Sequence, residues 1–417
     1  MIRSKKIVRK VFILTILLLL IVALIFNMCG GKSDSPSVSE PKAPEISINP
    51  QLQHLIDSFV QNAPRRGTLG IMFFDATARQ EVYSYNADAL MSPASCMKLL
   101  TSIATIRYFG RSAVHKNRLY TSGKMVGDTL VGNITLKVQF DPTFDRDSLY
   151  QLTEVLQTRH IKRLKGKVIL DMADYEGMDH EEHWTPGDLR SRYLSLPFSG
   201  GKKLRTEMLY ALARIGIPVR SDDIVFGRLD YHHSTLVAEL QSPVRFSIER
   251  ALKNSSNIHA ESMLYPLGYL VSRQGRFRQN GVEKMRQFVA HELHMNPATS
   301  CQIEDGCGLC PNDKLTPRLL VSLLNYAYQH KYIYNDVYDC LPLSGTDGTL
   351  YDRLRHAKVM GKIKAKTGTL TRDEGISSLS GYFTTPDNHL IIFSIINNQC
   401  PVMDGRWWQD HLLKAIL

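Results

Sequence analysis

The sequence predicts an α+β protein. One antiparallel sheet is shared by the two ends of the chain, helices flank it, a helical subdomain joins it, and a small β-rich segment is inserted. Three observations predict this. Two strand-like runs near the N-terminus, LGIMFF and EVYSY, flank the turn DATARQ and read as a hairpin over 68–85. Near the C-terminus KIKAKTGTL, SSLSGYFTT and HLIIFSIINN share that half-buried character. Pairing the two groups would bring both chain ends together around a common core. The stretch between them changes texture, with short strands and turns over 116–240 and helical spacing after it.

The 417 residues suffice for two or three domains, and 43% hydrophobic against 22% charged residues excludes a disordered chain. The net charge is +11, five of it in Arg3, Lys5, Lys6, Arg9 and Lys10. The remaining surplus suits a membrane face or acidic polymer as well as a plain solvated surface, and no nucleic-acid partner is implied. The basic start precedes an apolar run from Val11 to Phe26, then Cys29 and a polar Ser/Pro/Gly-rich stretch. Residues 1–29 therefore read as a signal peptide or membrane anchor, with Cys29 in the position of a lipidated cysteine, and 30–48 as a flexible linker. The expectation is a bacterial envelope protein with its body outside the cytoplasmic membrane. The other cysteines are Cys96, Cys301, Cys307, Cys310, Cys340 and Cys400. They could pair in an exported protein, and the Cys307-x-x-Cys310 spacing fits a local staple or free thiols better than a redox or metal site.

The elements follow in order. The folded part begins near Pro50. After the first hairpin, SPASCMKLLTSIATIRYFG carries apolar residues at Met97, Leu100, Ile103, Ala104 and Ile106, approximating helical spacing, with Gly110 as the stop. The insertion 116–240 contains the strands TLVGNITLKVQ and GKVILDM and a helix near LRTEMLYALARIGI. Residues 246–270 and 282–295 read as helices, and a closing helix runs from about Trp407 to Leu417. The main domain is then 49–115 together with 241–417.

Three short motifs stand out: Ser95-Cys96-Met97-Lys98, Ser255-Ser256-Asn257 and Lys366-Thr367-Gly368. A Ser with Lys three residues on is expected by chance about once or twice in such a chain, and K-T-G about 0.1 times. A second match, Ser199 to Lys202, contains two glycines, which disfavour a helix. Taken alone, Ser95 fits a helix cap equally well, and S-S-N is ordinary capping sequence. Together the set has a chemical logic. A serine hydroxyl needs a base, and Lys98, one helical turn on, serves only when neutral. Burial and the nearby cation Lys366 both lower a lysine pKa. Ser255 can relay a proton to the leaving amine, with Asn257 orienting Lys98 or a substrate amide. Lys366, Thr367 and Thr369 are candidates for a substrate carboxylate, with Gly368 among them on the strand.

This set resembles the S-x-x-K, S-x-N, K-T-G motifs of penicillin-binding proteins and serine β-lactamases. The flanks narrow it. SPASCMKLLTS, FDPTF (140–144), GKVILDM (166–172), KNSSNIHAESMLYPLG (253–268), EDGCGLCPNDKLTP (304–317), LPLSGTDGTLYDRL (341–354), KAKTGTLTRDEGISSLSGYF (364–383) and FSIINN (393–398) resemble the DacB-type D-Ala-D-Ala carboxypeptidases, also called penicillin-binding protein 4 or peptidase family S13. The resemblance spans most of residues 67–400. It implies the transpeptidase fold of penicillin-binding proteins and serine β-lactamases, and a carboxypeptidase and DD-endopeptidase acting on peptidoglycan stem peptides. It also implies acylation of Ser95 by β-lactams, and an oxyanion hole from the backbone N–H groups of Ser95 and Thr369. No cofactor is implied. Ser256 replaces the usual acid of the middle motif, and the insertion is shorter than in well-known members. A β-lactamase and a non-catalytic wall-binding protein are the other readings; no E-x-x-L-N segment supplies a class A deacylating glutamate. The histidines His180, His183, His291 and His294 are not in H-E-x-x-H spacing, so no metal is assigned, and Asp305 and Asp347 read as turn residues.

Overall fold

The computed structural model describes residues 50–63, 66–179, 181–184, 194–372 and 374–417. The expectations for 1–29, the linker and His180 lie outside the described residues. No helix among the described residues is long and apolar enough to cross a membrane.

Helix α1 (Pro50–Gln61) precedes strands β1 (Thr68–Asp75) and β2 (Gln80–Tyr85), then α2 (Met97–Phe109). A second group follows: β3 (Val114–Ser122), β4 (Ile134–Lys137), α3 (Arg146–Thr158), β5 (Val168–Asp171), α4 (Gly201–Arg214), β6 (Ile224–Phe226) and β7 (Ser234–Pro243). The chain then continues through α5 (Val244–Lys253), α6 (Asn257–Val271), α7 (Phe277–His291), α8 (Pro317–Gln329) and α9 (Lys331–Cys340). It closes with β8 (Ile363–Leu370), β9 (Ile376–Thr384), β10 (Leu390–Asn398) and α10 (Val402–Ile416).

The main sheet has the order β8-β9-β10-β1-β2 and is antiparallel throughout. β1 pairs with β10 from Thr68↔Asn398 to Asp75↔Ile391, so the two ends of the described chain do share one sheet. Its inner strands are buried on both faces rather than half-buried, because helices cover each side. Ile391, Phe393 and Ile395 pack with Trp408 and Leu412 of α10, whereas Ile392 and Ile396 join the helical core with Leu100, Ile103 and Leu320. That alternation is the period of two expected of a strand between two apolar layers. The second sheet, β7-β3-β4-β5-β6, has its own core with α3 and α4, including Leu136, Leu152, Leu170 and Leu212.

Two helical expectations need correction. The run 246–270 is two helices, α5 and α6, interrupted at Ser255, whose φ of 57° is left-handed. Apolar spacing continues across the break, so the pattern hid it. The helix expected over 282–295 runs from Phe277 to His291, and the last helix starts at Val402. The sequence predicts no helix at α1, α3, α8 or α9, although Thr316 caps α8 by accepting from Leu319 N–H, with Pro317 at its first turn.

Candidate active site

The turn that carries Ser95 begins at a left-handed residue. Ala94 has a φ of 44°, and a 3-10 turn over Ala94–Cys96 leads straight into α2. Ser95 thus precedes the helix by one turn, and Lys98 lies on the same face. The Lys98 ammonium nitrogen Nζ is 2.8 Å from Ser95 Oγ, 2.9 Å from Asn257 Oδ1 and 2.6 Å from the Cys307 carbonyl. Its side chain is fully buried.

The second pair comes from the edge strand. Lys366 on β8 is also fully buried and donates to Ser255 Oγ at 2.9 Å and to the Thr367 carbonyl at 2.7 Å. The strained turn at Ser255 presents that hydroxyl, and Asn257 opens α6. Thr367 Oγ1 donates to Thr349 Oγ1 at 2.7 Å, and Thr369 Oγ1 accepts from Arg406 at 2.8 Å. Gly368 has no side chain because there is no room for one. A Cβ there would stand 2.1 Å from Ser378 Oγ and 2.5 Å from the Pro93 carbonyl, so the glycine lets β8 lie against the Ser95 turn. All the motif residues Ser95, Lys98, Ser255, Asn257, Lys366, Thr367, Gly368 and Thr369 therefore converge on β8, the start of α2 and the α5–α6 junction.

Burial penalises positive charge, and it lowers the Lys98 amine from its ordinary range, against the pull of Cys307, Asp305 and Glu261. Lys366 falls to about 7, through burial first and then the charge of Lys98. The repulsion between the two lysines thus acts on Lys366, and burial is the main cause on Lys98.

The competing motif is elsewhere. Lys202 is exposed at the start of α4, and Ser199 Oγ donates to the Leu194 and Ser195 carbonyls. Ser256, the departure in the middle motif, pairs its Oγ with His259 Nδ1 at 2.8 Å. Asp305 is indeed a turn residue: its carboxylate accepts from the N–H groups of Cys307, Gly308, Leu309 and Cys310. That turn aims the Cys307 carbonyl at Lys98, a backbone contact no side-chain motif could reveal. Asp347 accepts from Leu343 N–H and pairs with Lys253 at 2.7 Å. Thr349 and Arg406 were also missed. Thr349 stands in the block LPLSGTDGTLYDRL, but nothing in that block marks it. His291 and His294 are exposed. The six cysteines among the described residues are buried free thiols, so the staple between Cys307 and Cys310 is not formed.

A serine hydroxyl beside a buried lysine of lowered pKa, under the edge strand of a helix-covered antiparallel sheet, is an arrangement suited to serine acyl transfer. The chain belongs to the D-Ala-D-Ala carboxypeptidase 3 (S13) family, whose model matches residues 52–201 and 199–412. It is 20% identical to the D-alanyl-D-alanine carboxypeptidase DacB of Haemophilus influenzae over 81% of this chain and 87% of that one. Its fold is that of the crystal structure of penicillin binding protein 4 (dacB) from Haemophilus influenzae. The TM-score is 0.73 at 17% identity, covering 86% of this chain and 98% of the other. A predatory peptidoglycan endopeptidase from Bdellovibrio bacteriovorus is similar at a TM-score of 0.54 and 18% identity, over 81% of this chain and 87% of that one.

Proposed function

We propose that this chain hydrolyses the terminal D-Ala-D-Ala bond of peptidoglycan stem peptides through an acyl-Ser95 intermediate, and cleaves D-Ala crosslinks by the same steps. The observation that carries this reading is the 2.8 Å approach of Lys98 Nζ to Ser95 Oγ inside a buried two-lysine, two-serine cluster. Neutral Lys98 takes the Ser95 proton as Oγ bonds to the carbonyl carbon. The backbone N–H groups of Ser95 and Thr369 hold the oxyanion. Collapse breaks the C–N bond, and the proton reaches the leaving amine through Ser255. Water then attacks the ester and frees Ser95. Asn257 orients Lys98, while Lys366, Thr367 and Thr369 receive the substrate carboxylate across Gly368. β-Lactams acylate the same serine and leave slowly.

The second sheet and its helices act as an inserted domain over 116–240 that borders the substrate path. The basic and apolar N-terminus, through an anchor or lipidated Cys29, tethers the enzyme on the outer side of the bacterial cytoplasmic membrane.

The test is intact-mass analysis after penicillin treatment, followed by digestion of purified crosslinked muropeptides. One adduct per chain, lost in Ser95→Ala, and release of D-Ala are expected. An adduct that survives Ser95→Ala overturns the assignment. Rapid turnover of a chromogenic cephalosporin would favour a β-lactamase, and muropeptide binding without D-Ala release a non-catalytic wall protein.

A further inference from the structure

We propose that Glu181, His183 and Cys310 form a binding site for a divalent transition-metal ion of the zinc class, clamping the 181–184 segment onto the 305–313 loop. One ligand atom of each, a Glu181 oxygen, a His183 ring nitrogen and Cys310 Sγ, lies within 4.8 Å of the other two. His183 Nδ1 is 2.8 Å from Glu181 Oε1 and 3.8 Å from Cys310 Sγ. Zinc bonds of about 2.0–2.3 Å in a tetrahedron separate such donors by about 3.3–3.8 Å, so small side-chain movements suffice.

The donor types match that ion. A thiolate, an imidazole and a carboxylate are the three ligand classes zinc accepts, and hard cations such as magnesium reject the sulfur. Charge also balances, since the carboxylate and a thiolate neutralise a dication. Cys310 is fully buried and Glu181 nearly so, whereas His183 is 39% exposed, which leaves an entry path and room for a water ligand. The distal ring nitrogen has a partner too. Asn312 Nδ2 is 3.4 Å from His183 Nε2, and turning the amide over lets Oδ1 accept from Nε2–H, as a nitrogen-bound metal requires. Binding at neutral pH releases the Cys310 thiol proton to solvent.

The place of the site gives it a consequence. Trp184 Nε1 donates to Asp305 at 2.9 Å, and Arg372 donates to the His183 and Leu309 carbonyls, so the two segments already touch. Asp305 organises the turn whose Cys307 carbonyl accepts from Lys98. An ion on Cys310 therefore rigidifies the loop that holds the base. Sequence spacing hid this, because His183 and Cys310 are 127 residues apart.

The experiment uses full-length protein stripped with a chelator and titrated with cobalt(II), a zinc surrogate whose thiolate charge-transfer band reports sulfur ligation. One equivalent is expected to give the band, zinc to displace it and magnesium to leave it unchanged. Hydrogen exchange in 305–313 should slow on loading. Cys310→Ser should abolish the band, and His183→Ala should weaken cobalt affinity at least about tenfold. Absence of the band in the wild-type protein, or its persistence in Cys310→Ser, overturns the proposal. Penicillin adduct formation reports whether each variant is folded. Should Cys310→Ser fail that check, unchanged cobalt affinity in His183→Ala overturns it instead.

Discussion

Lys98 Nζ sits 2.8 Å from Ser95 Oγ while its two other contacts, Asn257 Oδ1 and the Cys307 carbonyl, are both acceptors. A neutral amine can donate to those two and keep its lone pair for the serine proton. An ammonium would spend all three protons and could not take the Ser95 proton as the proposed mechanism requires. Lys98→Ala and Lys98→Arg should therefore both slow penicillin acylation by about 10²–10⁴-fold, since a guanidinium stays protonated. Adduct formation followed by mass against time checks this, and a fast Lys98→Arg enzyme would remove the lysine from the role of base.

Gly368→Ala should destabilise the protein by about 1–3 kcal/mol and slow acylation, because the new methyl separates β8 from the Ser95 turn. Adding Ser378→Ala removes one clash but not the one with the Pro93 carbonyl, at 2.5 Å. The double variant should stay impaired in thermal melts and penicillin labelling. Full recovery would show that only the serine matters.

The middle motif gives a prediction of small effect. Ser256 points to His259 and stands at the N-terminus of α6, where an acid is well tolerated. Ser256→Asp should change the acylation rate by less than about threefold. A larger change measured by labelling would place this side chain in the catalytic cluster.

Glu261 sets a pH dependence of stability. Its carboxyl is fully buried, accepts from Gly306 N–H, and is pushed up to about 8, by burial first and then by Asp305. The folded pKa lies above the ordinary 4.5, so the folded state holds a proton that the unfolded chain gives up. This contribution is complete below about pH 4.5 and lost as pH rises through about 8. Glu261→Gln should thus gain stability relative to wild type between pH 5 and pH 8.5, by a few kcal/mol at most. Urea midpoints at the two pH values decide it, and a difference independent of pH would refute it.

The sequence exposed those features that side chains carry at fixed backbone spacing. Ser95 and Lys98 are one helical turn apart, and K-T-G lies on a strand, so each motif was visible locally. The chain ends could be joined because β1 and β10 share alternation. Other features were not visible because they belong to backbone or to distant contacts. The Cys307 carbonyl, the Thr349 hydroxyl beside Thr367 and the Arg406 contact to Thr369 depend on packing. The break at Ser255 is a single left-handed residue inside continuous apolar spacing. Helix α8 had its cap at Thr316 and leucines at Leu319, Leu320, Leu323 and Leu324. Its start, however, closely follows the Gly-, Cys-, Pro- and Asp-containing stretch 305–313, which has no helical spacing of its own.

The pairing of β1 with β10 also orders events in time. Across 306 residues the Asn398 side-chain amide accepts from Ser92 N–H and donates to the Ser92 carbonyl, and within the sheet β8, with Lys366, connects to β1 through β9 and β10. A growing chain that has produced Ser95 and Lys98 still lacks the strand that carries Lys366. The proposed centre closes only when β8, β9 and β10 have joined β1, so penicillin labelling would also report that these late strands are in place.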